Sequence, residues 1–254
     1  MKILYKVCFS EFRFKNRPLG NSMQDIISVC LTSVVSQMGK HDEIIFFLDG
    51  EDTSNILHNI CNDYKVNYTI KKFNYGISYD YAHHEDVPGG GWSITKECIS
   101  YIKDQITNEG ELIYMCDDDH LHYNNCLPKI KDFLKTYPSY FCHPVDYPNL
   151  YEEETFQHAT NQFSEIKLTK NHHWRTIKNT TLTFAFTKGM FNHFLHYKTF
   201  TSITEPLYWA HWQNLLFVFD KCFSPIPSLA THIEADCLSY CIDNKKIYES
   251  VNSI

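Results

Sequence analysis

The fold is decided by residues 111–119, which read Glu-Leu-Ile-Tyr-Met-Cys-Asp-Asp-Asp. The apolar run from Leu112 to Cys116 follows Gly110 at a short distance and ends at three consecutive aspartates. A short apolar run bounded in this way predicts a strand buried on both faces, which is typical of a parallel sheet. In open α/β sheets, ligands bind just beyond the carboxyl ends of such strands. The aspartates are therefore candidates for a functional site.

Asp117, Asp118 and Asp119 form a triplet whose carboxylates repel one another, and a divalent cation relieves that repulsion. Hard oxygen ligands favour magnesium, manganese or calcium over zinc. Because side chains alternate along a strand, Asp117 and Asp119 share a face, and Asp119 is the natural ligand if the chain turns there. The alternative is a polar turn that enters a helix with one aspartate as its N-cap. An N-cap needs only one carboxylate.

Composition limits the class of protein. The chain has 254 residues, 43% of them hydrophobic, and a formal net charge of −7, which argues against a nucleic-acid-binding surface. Its ten cysteines are scattered without a Cys-x-x-Cys pair, so we expect reduced core thiols. We see no targeting segment and no apolar run approaching the ~18 residues of a membrane span. We therefore expect a soluble, cytoplasmic protein.

The first half of the chain alternates strand and helix patterns. Four strands alternating with helices predict βαβ units and a doubly wound, parallel sheet. The predicted strands cover residues 3–9, 43–48, 66–73 and 111–116, and the predicted helices cover residues 23–37, 51–62 and 93–106.

The second half is less regular. Residues 162–169 and 180–187 alternate as antiparallel or edge strands do. The segment from Pro225 to Ile254 has little periodicity and is expected to be a loop that packs back onto the body. One continuous domain is the simplest organisation. The remaining predictions are helices at 125–137, 188–197 and 205–219 and a strand at 140–145.

His232 is the second candidate for a metal ligand. It lies in the run Ser228-Leu-Ala-Thr-His-Ile-Glu, among apolar residues that follow Pro225 and Pro227. Considered alone, it fits a hydrogen-bonded core histidine. Considered with the aspartates, it could complete the shell of a cation from across a cleft.

A buried strand that ends in Asp-x-Asp after three βα units resembles the GT-A class of nucleotide-sugar glycosyltransferases. The resemblance extends over residues 3–146 in strand order, and the run from Pro225 to His232 resembles the C-terminal element that returns a histidine to the metal. It implies a GT-A type, Rossmann-like α/β fold with a mixed, mostly parallel sheet flanked by helices. Residues 1–122 would form the donor half, and residues 123–254 the smaller, irregular acceptor half.

The resemblance also implies roles for single residues. Asp119 and His232, with Asp117, would bind Mn²⁺ or Mg²⁺, and Asp117 or Asp118 would contact the ribose or sugar of a UDP- or GDP-sugar. Asp49 follows the second strand, but its Asp49-Gly-Glu-Asp turn only loosely resembles the family's nucleotide-binding turn. The other implied donor contacts are Phe9, Ser10, Glu11, Arg17 (or Arg13) and Lys96, which follows the Gly89-Gly-Gly-Trp turn.

The acceptor would be a hydroxyl of a glycan or glycoconjugate, with no nucleic acid and no transmembrane segment involved. Inverting transfer needs a carboxylate to deprotonate that hydroxyl. Glu205 stands at the distance from the acidic motif where the family places its base. The alternative is a carboxylate at a helix start, where the helix dipole favours negative charge. Asp146 is the second candidate, and retaining transfer needs no such base.

Three other functions stay open at this point. A nucleotidyltransferase shares the acidic metal site but usually has a Gly-rich basic loop after its first strand. Here the first glycine after that strand is Gly20. A phosphohydrolase would need more ligands near the triplet. A catalytically silent carbohydrate-binding module on the same scaffold would bind sugars without turning them over.

Overall fold

The computed structural model describes residues 1–11, 17–75, 77–80, 85–88, 91–148, 151, 164–177, 183–195 and 222–253. Within these residues the helices are α1 (Met23–Val35), α2 (Ile56–Asp63), α3 (Gly91–Gln105), α4 (Cys126–Thr136), α5 (Lys188–Leu195) and α6 (Asn244–Asn252). None of these helices combines the length and apolar character needed to cross a bilayer. The helix predicted over residues 205–219 lies outside the described residues.

The strands begin with β1 (Lys2–Cys8), β2 (Glu43–Asp49), β3 (Asn67–Phe73), β4 (Ile77–Asp80), β5 (Glu85–Pro88), β6 (Leu112–Asp117) and β7 (His120–His122). They continue with β8 (Phe141–Cys142), β9 (Ile166–Thr169), β10 (His172–Thr176), β11 (Phe184–Thr187), β12 (Cys222–Ile226) and β13 (Ala230–His232). Nine of them form one sheet in the order β3-β2-β1-β6-β11-β8-β12-β10-β9. β7 pairs with β13, and β4 pairs with β5.

The parallel half of the sheet confirms the prediction from the first half of the chain. β3, β2, β1 and β6 are mutually parallel, whereas β11 runs antiparallel to β6 and begins the mixed half. Because alternate side chains of a strand point to opposite faces, the sheet separates two hydrophobic cores. Tyr5 packs into one core with α1, α4 and α6, and Leu4 packs into the other with α3 and α5. The result is a three-layer α/β domain.

The prediction for the C-terminal segment was wrong. Residues 225–254 were expected to be a loop, but β12 lies inside the large sheet between β8 and β10, β13 pairs with β7, and α6 follows. Pro225 suggested a chain break because proline is rare inside sheets. Here it stands opposite Trp174 in the antiparallel β10–β12 pair.

Smaller differences have local causes. α2 was predicted from residue 51, but it begins at Ile56 because the carboxylate of Asp52 accepts the N–H groups of Ile56 and Leu57, each at 2.9 Å. The strand predicted over 140–145 is reduced to Phe141–Cys142. The strands predicted at 162–169 and 180–187 are present as the shorter, antiparallel β9 and β11.

Candidate active site

The aspartate triplet begins where β6 leaves the sheet beside β1. Lys6 is the neighbour of Asp117 in the parallel ladder, and its Nζ lies 2.8 Å from Asp117 Oδ1. The hydroxyl of Thr183 donates to Asp117 Oδ2 at 3.0 Å and accepts the Asp117 N–H at 3.0 Å. Burial alone would raise the pKa of Asp117, but the charge of Lys6 keeps it below its usual value. Asp117 is therefore an ionised, positioned carboxylate.

Asp118 points the other way and ties two strands together. Its Oδ2 accepts the N–H of Cys8, the last residue of β1, at 2.8 Å, and the residue is only 1% exposed. The side chain of Asp117, by contrast, is 22% exposed. Of the two, Asp117 is the one that a bound molecule can reach.

His232 reaches the triplet through the small β7–β13 sheet. In this antiparallel pair His232 stands opposite His120, and the N–H of Ile233 donates to the carbonyl of Asp119 at 2.8 Å. The rings of His120 and His232 consequently stack, with centroids 4.8 Å apart and planes 7° apart. The pairing places His232 Nε2 3.2 Å from Asp119 Oδ2, although the two residues are 113 positions apart in sequence.

Asp119 lies at the centre of a cluster of nitrogen-bearing side chains. Arg17 Nη2 lies 3.0 Å from its Oδ2, and His120 Nδ1 lies 3.1 Å from its Oδ1. Burial alone would raise the pKa of Asp119, but the charge of His232, with contributions from His120 and Arg17, holds it well below its usual range. Burial alone would lower the pKa of His232, and the carboxylate of Asp119 raises it instead.

Buried aromatic and histidine rings pack against the inner side of this cluster. His120 is 1% exposed, and its Nε2 lies 3.5 Å from the hydroxyl of Tyr147. The ring of Tyr147 stacks on His143, whose Nδ1 bonds the carbonyl of Thr183. His122, two residues further along β7, is also buried in the interior. The side chains at the triplet thus have little freedom to move.

The Asp119–His232 pair fits a divalent cation. Two ligands on adjacent corners of an octahedron with bonds of about 2.1 Å lie about 3 Å apart, close to the separation seen here. His232 Nδ1 is buried and has no hydrogen-bond partner among the described residues. The contacts of Nε2 therefore determine the orientation of the ring. Glu234 and Cys237 lie beside His232 as further potential ligands. A carboxylate with an imidazole suits Mn²⁺ better than Mg²⁺, which takes oxygen ligands.

The other predicted donor contacts take different positions. Asp49 ends β2 beside Cys8, and its Oδ1 accepts the N–H of Tyr75 at 3.0 Å. Both carboxylate oxygens of Glu11 accept the N–H of Met23 at the start of α1, so Glu11 caps that helix. Half-buried positions that follow β1 or lie on α3 are occupied by Phe9, Ser10 and Lys96.

Of the two candidate bases, only Asp146 lies within the described residues. Glu205 and Arg13 lie outside the described residues, as do Gly89 and Gly90. Asp146 Oδ1 accepts from Arg175 Nη2 at 2.7 Å and Nε at 3.1 Å, and its Oδ2 accepts from the hydroxyl of Tyr151. The structure thus places Asp146 in a partly buried ion pair rather than with the triplet.

Sequence reasoning missed the roles of Lys6 and Thr183 and the contact between Arg17 and Asp119. Lys6 carried a signal, because it is a lone charge inside the apolar run Ile3-Leu-Tyr-Lys-Val. A buried lysine needs a partner of opposite charge. Thr183 carried none, because only the β6–β11 pairing brings it to Asp117.

The fold occurs in two kinds of solved transferase. Galactosyltransferase LgtC, in complex with donor and acceptor sugar analogs, matches 88% of this chain and 73% of its own, with 11% identity and a TM-score of 0.50. A putative glucose-1-phosphate thymidylyltransferase from Bacillus anthracis, in complex with a sucrose, matches 100% of this chain and 96% of its own, with 11% identity and a TM-score of 0.52. No protein-family model and no curated protein matches the chain.

These likenesses confirm the expected architecture. The chain has the GT-A fold of nucleotide-sugar glycosyltransferases, a mixed and mostly parallel sheet flanked by helices. One of the two similar structures is a nucleotidyltransferase, so the fold alone does not separate sugar transfer from nucleotidyl transfer. That choice depends on the site.

Proposed function

We propose that this protein is a metal-dependent glycosyltransferase that moves a sugar from a nucleoside-diphosphate sugar to an acceptor hydroxyl. The observation that carries the proposal is the meeting of Asp119 Oδ2 and His232 Nε2 at 3.2 Å. The meeting occurs beyond the carboxyl end of β6, where ligands bind in such sheets. This carboxylate and this imidazole are 113 positions apart in sequence, and their side chains are only 5% and 13% exposed. Such a pairing of polar groups away from water is costly unless it serves a ligand.

Asp119 and His232 are the proposed metal ligands, with Mn²⁺ as the preferred ion and Mg²⁺ as the alternative. A bound dication supplies Lewis-acid stabilisation of the negative charge that develops on the leaving diphosphate. His120 supports both ligands, because it hydrogen-bonds Asp119 and stacks on His232. Asp117 was also predicted as a ligand, but its pairing with Lys6 favours a contact to the donor instead.

The donor is proposed to lie across the carboxyl ends of β1, β2 and β6. Asp117 has a partly exposed carboxylate that can accept a hydrogen bond from a ribose or sugar hydroxyl. Asp49, at the end of β2, is proposed to bind the base. Phe9 and Ser10 follow β1 and line the same edge. A UDP- or GDP-sugar is the proposed donor, and a glycan or glycoconjugate is the proposed acceptor.

The general base for inverting transfer is proposed to be Glu205. Asp146 is the weaker candidate, because its oxygens accept from Arg175, Ser224 and Tyr151. With both oxygens engaged by these donors, Asp146 is poorly placed to take a proton from an acceptor hydroxyl.

The test uses the purified protein with Mn²⁺ and a panel of UDP-, GDP-, CMP- and dTDP-sugars. Released nucleoside diphosphate is measured without acceptor, because transferases slowly hydrolyse their donors. We expect release from one nucleotide class that needs the metal and falls by about 1000-fold in Asp119→Asn. Asp63→Asn is the matched control, because Asp63 is exposed at the end of α2.

A parallel assay with nucleoside triphosphates and sugar phosphates tests the second candidate function, which the likeness to a thymidylyltransferase favours. That activity joins a nucleoside triphosphate to a sugar phosphate and releases pyrophosphate. Pyrophosphate release with such substrates, and none of nucleoside diphosphate from the sugar panel, would replace our proposal. Donor binding without any turnover would instead indicate a carbohydrate-binding module.

A further inference from the structure

Arg17 contacts both atoms that the proposed metal needs. Its Nη2 lies 3.0 Å from Asp119 Oδ2, and its Nη1 lies 3.3 Å from His232 Nε2. Nη1 also donates to the carbonyl of Ile233, which fixes the guanidinium against β13. The guanidinium therefore bridges the same carboxylate oxygen and imidazole nitrogen that lie 3.2 Å apart.

A guanidinium and a divalent cation cannot share this position. The side chains of Arg17, Asp119 and His232 are 8%, 5% and 13% exposed, so solvent screens their charges poorly. A dication bound to Oδ2 and Nε2 would lie within contact distance of a fixed positive charge. A guanidinium keeps its positive charge, so only movement of the Arg17 side chain relieves that repulsion.

The two neighbours of His232 Nε2 also make opposite demands on this atom. Nε2 must donate to interact favourably with Asp119 Oδ2, yet it must accept to bond Arg17 Nη1. One ring nitrogen cannot do both. A lone pair directed at a cation between the two ligands would remove this conflict, provided that the guanidinium has moved away.

We propose that Arg17 is an internal cation that occupies the metal position of the free enzyme and must be displaced for the metal to bind. The proposal deepens the proposed function, since it rests on Asp119 and His232 as the metal ligands. Once displaced, the guanidinium offers a fork of donors that matches a phosphate. A donor diphosphate that holds Arg17 would thereby help the metal to bind, and metal and donor would bind cooperatively.

The experiment measures Mn²⁺ binding directly, by electron paramagnetic resonance of the free ion, in the absence of any nucleotide. Wild type is compared with Arg17→Gln and with Lys245→Gln, which changes the net charge equally at an exposed residue of α6. We expect Arg17→Gln to bind Mn²⁺ at least about tenfold more tightly than the other two proteins, because one unscreened like charge is gone. Arg17→Met repeats the test with a side chain that keeps apolar packing, and thermal unfolding verifies that each variant is folded.

Two further arms make the result specific. Adding His232→Ala to Arg17→Gln should remove the gained binding, and persistent binding would place it elsewhere and overturn the proposal. With UDP present, the gain in Mn²⁺ affinity should be larger in wild type than in Arg17→Gln. Equal Mn²⁺ affinity in wild type and Arg17→Gln would overturn the role of Arg17 and leave the proposed function intact. No Mn²⁺ binding in any of the proteins would remove the metal site itself.

Discussion

The parallel half and the mixed half of the sheet differ in how the sequence specifies their strands. In the parallel half, β1, β2 and β6 are strands of six or seven residues whose central parts are buried and mostly apolar, and each carries its own signal in sequence. In the mixed half, β8 has two residues and β12 contains a proline, so these strands depend on their neighbours. Local hydrophobic pattern specifies the first half, whereas long-range pairing specifies the second.

The site repeats this contrast on a smaller scale. Asp117 is held by Lys6, its neighbour in the parallel ladder. Asp119 depends on His232, which arrives from the C-terminal segment through β13. Variants on the two sides should therefore fail differently: changes at His232 should abolish chemistry and leave the fold intact, and changes at Lys6 should first weaken the fold.

The largest effect is expected at the C-terminal ligand. His232→Gln removes the imidazole lone pair but keeps a polar side chain of similar size, so Mn²⁺-dependent nucleotide release should fall by about 100-fold or more. The measurement is release of nucleoside diphosphate from the preferred donor over a range of Mn²⁺ concentrations. His173→Gln is the matched control, because His173 is exposed on β10. Equal activity of the two variants would exclude His232 from the site.

A smaller effect is expected in the parallel half. Lys6→Met leaves the carboxylate of Asp117 without its main partner, and removing one member of a buried pair is destabilising. We expect a loss of about 2 kcal/mol in the free energy of unfolding, less than for a fully buried pair because Asp117 is partly exposed. Denaturant titration measures it.

The double variant Lys6→Met with Asp117→Asn supplies the control for that result. It removes the carboxylate charge of Asp117 together with the ammonium group of Lys6, so no unpaired charge remains. The double variant should therefore recover more than half of the lost free energy of unfolding. A Lys6→Met protein as stable as wild type, or a double variant no better than the single one, would mean that the ion pair is not a feature of the protein in solution.

The effect that is smallest near neutral pH, and grows only in acid, is expected at the buried histidine His122. Burial lowers the pKa of His122 to about 3, and His122 bonds the hydroxyl of Tyr114. Because the folded pKa lies below the unfolded value of about 6.5, stability is fully present above pH 6.5 and is lost as the pH falls towards 3. The loss should approach about 1.4 kcal/mol per pH unit for this histidine.

The measurement is the slope of unfolding free energy against pH between 6 and 4. His122→Gln should have a shallower slope than wild type, whatever its absolute stability, because one titrating group is gone. His143, whose pKa burial also lowers to about 3, titrates in both proteins and cancels in the comparison. Parallel slopes would show that His122 is not a buried neutral group.

The sequence was sufficient to predict the parallel strands and to mark the aspartate triplet, because three adjacent carboxylates after a buried strand are costly without a partner. The contact between Asp119 and His232 was implied by the resemblance to GT-A transferases, since His232 considered alone fits a core histidine. The sequence was insufficient for β12, since Pro225 is a local signal for a break that the antiparallel partner β10 overrides. It was also insufficient for Arg17, because an arginine in a loop has no pattern that names the carboxylate it will reach.

The position of β12 inside the sheet has a consequence for how the protein is made. β12 lies between β8 and β10, so among the described strands the outer pair β10–β9 is connected to the rest of the sheet through β12. The β7–β13 pair that delivers His232 follows within a few residues. During synthesis, the parallel half can form first, while the outer strands and the Asp119–His232 pair must wait until residues 222–232 have been made. One short segment therefore joins the outer strands to the sheet and brings His232 to Asp119.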